Sequence, residues 1–336
     1  MKHKKIAIIG AGMAGATLAN QLINGGYQVT IFEKSRGTGG RQSSCRIGTD
    51  SADLGAPWYA PKTKQFRQWL MERPEVALWQ AKHRNFCDTE VDRKCVFLST
   101  PRQSSLTQNL IKGAMLCTEA NILRIQSDDH GVRLDKELGE IKSLFDAVIV
   151  TTPAAQAIRL LSVCPQFSNL ASTTKSSPSW VSVISIKGKN NIEPDILSGN
   201  HPILHRAIRD SKKPGRNSWS RKEIWVLEAN SEWSQRHRDS APNNIGKALI
   251  KAFAAVVDQP IEISCIRTHR WLYARHQSAT SADYLWDPIS KIGVCADWLN
   301  NPGNEGAWLS ANALANHLLC HSTNSDCLPL NHAVVS

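Results

Sequence analysis

Three glycines and one acidic residue near the start of the chain stand at spacings that suit one particular chemistry. They are Gly10, Gly12 and Gly15, with Glu33 following 18 residues after the last glycine. Gly10 permits a tight turn, Gly12 lets a pyrophosphate approach the backbone, and Gly15 allows a helix to pack closely on a strand. Glu33 can accept hydrogen bonds from both hydroxyls of an adenosine ribose, and its charge would repel the 2′-phosphate of an NADP-type ligand.

The elements that must position these residues lie directly on either side of them. Residues 5–9 and 27–32 are apolar runs typical of buried strands, and the glycine turn opens a helix between them. A strand, helix and second strand at this spacing predict a βαβ unit, in which phosphates bind at the N-terminus of the helix.

The residues after Glu33 favour a flavin over a nicotinamide. Residues 35–41 contain a glycine pair that ends in Gly40, followed by Arg41. Close backbone approach and a second cation suit a longer ligand with a pyrophosphate and a ribityl chain. We therefore expect FAD, bound without a covalent link because no cysteine or histidine stands in an obvious tethering motif.

A second half-site is predicted near the C-terminus. Residues 291–298 are typical of a strand ending in an acid, Asp297, and residues 303–308 open a helix that reaches about Cys320. Asp297 can hold ribityl hydroxyls, and the helix N-terminus can direct N–H groups to the part of a flavin where negative charge collects on reduction. The alternative is that Asp297 only caps a turn.

The chain order predicts two interleaved lobes. Residues 180–186 and 224–228 alternate as strands and residues 244–257 form an amphipathic helix, which indicates a layer separate from the nucleotide half. The predicted fold class is α/β, a Rossmann-type FAD-binding domain with an interleaved α+β substrate domain. We assign residues 1–60, 100–164 and 265–320 to the first domain, 61–99 and 165–264 to the second, and 321–336 to a polar tail.

Composition argues against several other classes. No run of 18 apolar residues exists, so no membrane span is expected, and the glycine turn explains the basic, then apolar N-terminus better than a signal peptide does. Nine scattered cysteines without a CxxC pair, and eleven histidines without metal-site spacing, predict reduced thiols, no metal and a cytoplasmic location.

The formal net charge of +11 raises the question of an anionic partner. No nucleic-acid-binding motif accompanies it, so we expect no nucleic acid. The charge is concentrated in residues 206–222, which include Arg206, Arg209, Lys212, Lys213, Arg216, Arg221 and Lys222 against Asp210. This segment is either a solvated loop or a surface that attracts a phosphorylated substrate.

These motifs together resemble the renalase-like branch of the flavin amine oxidase superfamily, especially its bacterial members. The resemblance covers nearly the whole chain: the glycine fingerprint with Glu33, residues 39–41, 52–56, 211–216, 225–227, 232–234, 269–274 and 297–308 fall in the family's order. Individual motifs are weakly specific, and their joint order carries the resemblance.

The resemblance implies a p-hydroxybenzoate-hydroxylase-like fold and an activity. The activity is oxidation of 2- and 6-dihydroNAD to NAD⁺, with molecular oxygen reduced to hydrogen peroxide; the substrate would be an anionic dinucleotide. By motif position, the FAD-binding residues would be Gly10, Gly12, Gly15, Glu33, Gly40, Arg41, Ile122, Asp297, Gly306 and Ala307, with Ile122 contacting adenine through its backbone.

No catalytic acid or base is identified, and the candidates for the substrate cavity are aromatic walls. Trp58, Trp271 and Tyr273 can stack on a flat substrate. His269 and Arg270 can contact an anionic group, although a structural role suits His269 better. The sequence departs from the family where Pro57 precedes Trp58, which leaves open an oxidase of amines or other small molecules, or a non-catalytic flavin sensor.

Overall fold

The structure is a computed structural model that describes residues 4–137, 139–187, 191–216, 223–277 and 280–323. Its strands are β1 Lys5–Ile9, β2 Gln28–Phe32, β3 Ser44–Ile47, β4 Asp50–Asp53, β5 Val76–Asn85, β6 Asp92–Ser99, β7 Met115–Cys117, β8 Ile122–Asp128, β9 Gly131–Lys136, β10 Gly139–Phe145, β11 Ala147–Val150, β12 Ser176–Ile186, β13 Ile196–Ser198, β14 Leu204–Arg209, β15 Glu223–Ala229, β16 Ile263–His276, β17 Leu285–Asp287 and β18 Ile292–Val294. Its helices are α1 Met13–Asn24, α2 Lys64–Met71, α3 Ser105–Leu110, α4 Ala154–Leu160, α5 Pro165–Thr173, α6 Ser231–Arg236, α7 Pro242–Val257 and α8 Asn304–Thr323.

The first lobe is built on a six-stranded sheet in the order β17-β18-β11-β1-β2-β7. All neighbouring strands are parallel except β17, which runs antiparallel to β18. Alternate residues of β1 enter two different cores: Ile6 and Ile8 pack with α1, α2 and α8, whereas Ala7 and Ile9 pack with α4, α5 and the three-stranded sheet β10-β9-β8. Both faces of this sheet are therefore covered, as expected for parallel strands with apolar sequences.

The second lobe is built on a seven-stranded sheet in the order β16-β12-β15-β14-β13-β5-β6. Neighbouring strands are antiparallel except for the parallel pair β13 and β5. Helix α7 covers one face, where Trp225 packs against Phe253. The other face, here called the inner face, carries Val181, Val183 and Val226 and contacts the β3-β4 hairpin of the nucleotide half.

The predicted α/β fold class is confirmed, and three sequence assignments change in detail. Strand β16 pairs with β12 in the seven-stranded sheet, so the boundary predicted at residue 265 falls inside a strand. Strand β5, which was not predicted from the sequence, pairs along its length with β6. Helix α8 runs to Thr323, three residues into the segment 321–336 that we assigned to a polar tail, and residues 324–336 lie outside the described residues.

Candidate functional site

The glycine turn has the geometry that its sequence predicts. Gly10 has a φ of 111° and donates its N–H to the carbonyl of Phe32 at 2.9 Å, which ties the turn to β2. A Cβ on Gly15 would lie 2.0 Å from the carbonyl oxygen of Gly10, whereas a Cβ on Gly12 would meet no atom within 4 Å. Gly12 is the N-cap of α1 and supplies no side-chain cap. The helix N-terminus is thus open on the side where an anion can bind.

Glu33 lies at the end of β2 beside this turn and is 6% exposed. One carboxylate oxygen accepts the N–H of Ala11 at 2.9 Å, and the other accepts the N–H of Ser35 at 2.8 Å. Each oxygen keeps a further lone pair for a ligand hydroxyl. The N–H of Ala120 donates to the carbonyl of Glu33 at 3.0 Å, which places Ile122 at the start of β8 near the same strand end.

The two half-sites predicted from distant parts of the sequence are in direct contact. The Arg41 guanidinium binds both oxygens of Asp297, at 2.9 and 2.5 Å, and the N–H of Gly303 donates to the same carboxylate at 3.1 Å. Burial raises the pKa of Asp297, but Arg41 outweighs burial and holds that pKa below its usual value. Asp297 follows β18 by three residues and lies in a turn, not at the end of a long strand.

The segment that carries Arg41 is fixed against the glycine turn. A Cβ on Gly40 would lie 3.3 Å from the Cα of Gly12, so the two backbones are adjacent. On the other side, the N–H of Ala56 donates to the carbonyl of Arg41 at 2.7 Å, and a Cβ on Gly55 would lie only 2.0 Å from that oxygen. Residues 55–56 therefore hold Arg41 in place through its backbone.

The first turn of α8 is held by contacts on both sides. A Cβ on Gly306 would lie 1.5 Å from the carbonyl oxygen of Asn301, so only glycine fits there. The N–H of Ala307 donates to the carbonyl of Gly303 at 3.0 Å. Glu305 accepts hydrogen bonds from two backbone N–H groups just before α2, at 2.6 and 2.8 Å, and this contact joins α8 to α2.

Several buried polar side chains around this site have no hydrogen-bond partner among the described residues. They include both amide atoms of Gln42 and both ring nitrogens of His276. Burial lowers the pKa of His276 to about 4 against the opposing effect of Asp297, so its ring is neutral above that pH. Because buried polar groups are normally paired, these atoms are the ones that a polar ligand would satisfy.

The three candidate wall residues have different surroundings. The Trp271 indole N–H donates to the carbonyl of Leu54 at 3.0 Å, and the ring meets His269 edge-on, so Trp271 joins the inner face to the β3-β4 hairpin. Tyr273 is half-buried on β16, next to Ala274, whose carbonyl accepts a 3.4 Å hydrogen bond from Arg41.

Trp58 is contacted by Lys94 and Arg206, with ring-centroid distances of 5.1 and 4.9 Å. Arg270, in contrast, lies over Trp180 and pairs with Asp239 at 3.0 Å. That contact places Arg270 on the face covered by α7 and away from the inner face.

Neither interpretation of the basic segment holds for Lys213 and Arg216, because both side chains are buried in ion pairs. Lys213 is 3% exposed and pairs with Asp53 and Asp210 at 2.8 Å each, and Arg216 contacts the same two carboxylates. We call these four residues the buried ion cluster. Of the two adjacent lysines, Lys212 is exposed and Lys213 is buried. Lys213 and Arg216 therefore form no surface that attracts a substrate. Residues 217–222, with Arg221 and Lys222, lie outside the described residues.

Of the two carboxylates that pair with these cations, Asp210 is close to them in the sequence and was named beside them, whereas Asp53 was not connected with them. Asp53 belongs to a recognised motif, but its partner Lys213 is 160 positions away in the sequence. Glu228 was assigned only to a strand, yet it is buried and pairs with Arg206 and Arg275. The only signal in the sequence for Glu228 was that a carboxylate stands at the end of a predicted buried strand.

The described residues contain neither a metal-binding cluster nor a membrane-spanning helix. No group of three or more His, Cys, Asp or Glu side chains there is arranged to hold a metal ion. Among the helices of those residues, none combines the length and apolar character that a membrane crossing requires.

Comparison with known proteins agrees with this geometry. Residues 8–72 match the family model described as an NAD(P)-binding Rossmann-like domain. A D-amino acid dehydrogenase from Methylobacterium radiotolerans is 36% identical over 76 residues, a match that covers 22% of this chain and 18% of the dehydrogenase. The match therefore spans less than a fifth of the length of that dehydrogenase.

Solved structures extend the likeness to nearly the whole chain. A putative protoporphyrinogen oxidase from Exiguobacterium sp. 255-15 superimposes with a TM-score of 0.73 at 9% identity, covering 96% of this chain and 100% of that one. Cyclohexylamine oxidase from Brevibacterium oxydans does so with a TM-score of 0.69 at 11% identity and the same coverage. At such identities the likeness shows the fold alone: this chain carries a Rossmann-like dinucleotide-binding domain within a fold that it shares with oxidases.

Proposed function

We propose that the protein is an FAD-dependent oxidase. The observation that carries this proposal is the bidentate contact between Arg41 and Asp297, which joins the βαβ unit to the turn before α8. A ligand confined to the βαβ unit would not need the second half-site. A dinucleotide that extends from Glu33, past the glycine turn, to the start of α8 would use both.

The residues present fit this cofactor. Glu33 would bind the adenosine ribose, the uncapped N-terminus of α1 would bind the pyrophosphate, and Arg41 with Asp297 would contact the pyrophosphate and ribityl chain. The unpartnered amide of Gln42 and the N-terminus of α8 are available for the ring system. When bound, FAD supplies a two-electron acceptor for hydride transfer, and the protein supplies orientation and electrostatics.

The substrate class that we propose is the isomeric dihydronicotinamides, 2- and 6-dihydroNAD, as in the renalase-like enzymes that the motifs resemble. Each substrate loses a hydride and becomes NAD⁺, and molecular oxygen takes up the two electrons with two protons to give hydrogen peroxide. Restoration of the aromatic nicotinamide drives the hydride loss, so no side chain need act as a base. The neutral ring of His276 and the half-buried Tyr273 would orient the substrate and exclude water.

The cofactor is tested first. The purified protein should be yellow, and denaturation should release FAD into the supernatant without a covalent link. A colourless protein that takes up no added FAD would contradict the proposal.

The substrate class is tested by anaerobic mixing while flavin absorbance is recorded. We expect rapid bleaching by 2- or 6-dihydroNAD and no bleaching by benzylamine. The shared fold with cyclohexylamine oxidase makes an amine oxidase the second candidate. Bleaching by amines alone would favour that function, and bound flavin that no donor reduces would favour a sensor.

A further inference from the structure

Two cations contact the same tryptophan on the inner face. Lys94 on β6 has its ammonium 5.1 Å from the centroid of the Trp58 ring, and Arg206 on β14 has its guanidinium carbon 4.9 Å from it. Partial burial and the charge of Arg206 both lower the pKa of Lys94, while Asp92 raises it. The ring attracts both cations, but it does not neutralise their mutual repulsion.

The carboxylate of Glu228 pairs with Arg206 and with a third cation, Arg275. Glu228 is 9% exposed, and its two oxygens bind Arg206 at 2.5 Å and Arg275 at 2.6 Å. Burial raises the pKa of Glu228, but the two arginines outweigh burial and lower it, so the group is ionised. Both of its oxygens are therefore already committed to arginines.

The other carboxylate near Lys94 is also committed. Asp92 lies at the exposed end of β6, is 72% exposed and pairs with His83 at 2.7 Å. Within the part of the chain that the structure describes, the Lys94 ammonium has no hydrogen-bond acceptor and no ion-pair partner. We call Lys94, Arg206 and Arg275 the cationic cluster. Its three cations are accompanied by one carboxylate, that of Glu228, which binds Arg206 and Arg275.

The cationic cluster borders the candidate flavin site along two chain segments. Trp58 is two residues beyond Ala56, whose N–H binds the Arg41 carbonyl at 2.7 Å. Arg275 lies between Ala274, which accepts a hydrogen bond from Arg41, and His276, which interacts with Asp297. Since consecutive Cα atoms are about 3.8 Å apart, the backbone of Trp58 is within about 8 Å of that of Ala56.

We propose that Lys94 and Arg206, positioned by Trp58, form a subsite that binds an oxyanion group of the substrate beside the flavin. This inference rests on the proposed function and specifies its substrate: the donor carries a phosphate or a carboxylate in addition to the group that is oxidised. Arg206 binds Glu228 through Nε, so its terminal N–H groups remain for the anion, together with the three donors of Lys94. The subsite accounts for an otherwise unfavourable pair of neighbouring cations, and it disfavours a cationic amine.

The test uses Lys94→Gln, which removes the unpaired charge without breaking an ion pair. Arg93→Gln is the matched control, because Arg93 is the preceding residue on the same strand, is exposed, and lies on the opposite face of the sheet. Lys94→Arg should retain the function. The holoenzymes are titrated calorimetrically with inorganic pyrophosphate and with succinate, and these two probes identify whether the oxyanion is a phosphate or a carboxylate.

We expect Lys94→Gln to weaken binding of the preferred probe about tenfold, as the loss of one charge-assisted hydrogen bond predicts, while Arg93→Gln leaves it unchanged. In anaerobic reduction, the half-saturating concentration of dihydroNAD should rise by about the same factor at an unchanged limiting rate. The uncharged dihydronicotinamide riboside should be unaffected. Equal behaviour of the two glutamine variants with both probes would overturn the subsite.

The two proposals fail in different ways. If dihydroNAD does not reduce the flavin but oxyanion binding depends on Lys94, the proposed substrate is wrong and the subsite stands. If dihydroNAD reduces the flavin with the same half-saturation in wild type and Lys94→Gln, the activity stands and the subsite is overturned.

Discussion

The buried ion cluster should be among the most sensitive positions for stability in the chain. The side chain of Lys213 is fully buried and contacts Asp53 and Asp210 at 2.8 Å each. Lys213→Met retains most of the aliphatic stem but removes the charge, which leaves two buried carboxylates with Arg216 alone. Removing one partner from a buried ionic group costs about 3–5 kcal/mol, because the remaining charge is uncompensated.

The magnitude is large relative to the total stability. A free energy of unfolding of about 5–15 kcal/mol is typical of native proteins, so Lys213→Met should remove a substantial fraction of it. With a denaturant dependence of about 3 kcal/mol per molar urea, the unfolding midpoint should fall by about 1 M or more. Tryptophan fluorescence during urea unfolding of the apoprotein measures this midpoint.

Lys212→Met is the matched control for this experiment. Lys212 is the adjacent residue, carries the same charge and is exposed, so its replacement should change stability by no more than about 0.5 kcal/mol. If the two variants unfold at the same urea concentration, the buried ion cluster does not contribute as its geometry indicates. In that case the reasoning from burial and ion pairing is refuted.

Four further predictions concern the cofactor site, the pH dependence of stability and the cysteines. Glu33→Ala removes two charge-assisted hydrogen bonds to the ribose and should weaken FAD binding at least about tenfold without unfolding the apoprotein; fluorescence titration with FAD checks this, and an unchanged dissociation constant would contradict the ribose assignment. Lys213 and Arg216 lower the pKa of Asp53 despite the opposing effect of burial, so its stabilisation is complete above the unfolded value of about 3.9 and is lost as pH falls below it. Because burial lowers the pKa of His276 to about 4, the free energy of unfolding should also fall as pH decreases from about 6.5 towards 4. Urea unfolding at several pH values measures this slope, and His276→Gln should reduce it. An unchanged slope would count against a buried neutral ring. Native-state thiol labelling should modify the exposed Cys87 and Cys95 quickly and the buried Cys295 only after unfolding, since burial raises the pKa of the Cys295 thiol; rapid labelling of Cys295 would be inconsistent with the core.

Much of the fold could be predicted because local pattern and burial agree in the relevant segments. The strands on either side of the glycine turn lie where the sequence predicts them, at residues 5–9 and 28–32. The agreement fails where an apolar sequence is buried without being a strand. Residues 295–299 are almost completely buried, yet β18 ends at Val294 and the chain continues as a turn around Asp297. The hydrophobicity of residues 295–299 therefore indicates that they are buried, but it does not indicate that their backbone is extended.

In the candidate site, too, features set by local sequence could be predicted and features set by tertiary contacts could not. The glycine spacing determines local backbone geometry, so Gly10 and Gly15 were placed correctly from sequence alone. Ion pairs join residues that only the tertiary fold brings together, so no local pattern predicts which carboxylate meets which cation. Arg41 and Asp297 were both assigned to the flavin, but nothing in their spacing indicated that they would bind each other.

The same difficulty limits what net charge indicates about exposed cations. The formal charge of +11 drew attention to residues 206–222, where positive residues are clustered. In the fold, Lys213 and Arg216 are neutralised by Asp210 of the same segment and by Asp53 from elsewhere in the chain, whereas Lys94, outside that segment, has no ion-pair partner among the described residues. A cation attracts a ligand only where its charge is not already compensated. If the protein binds FAD and an anionic substrate as we propose, the residues that select this substrate are unpaired cations next to the proposed flavin site, and Lys94 is such a cation.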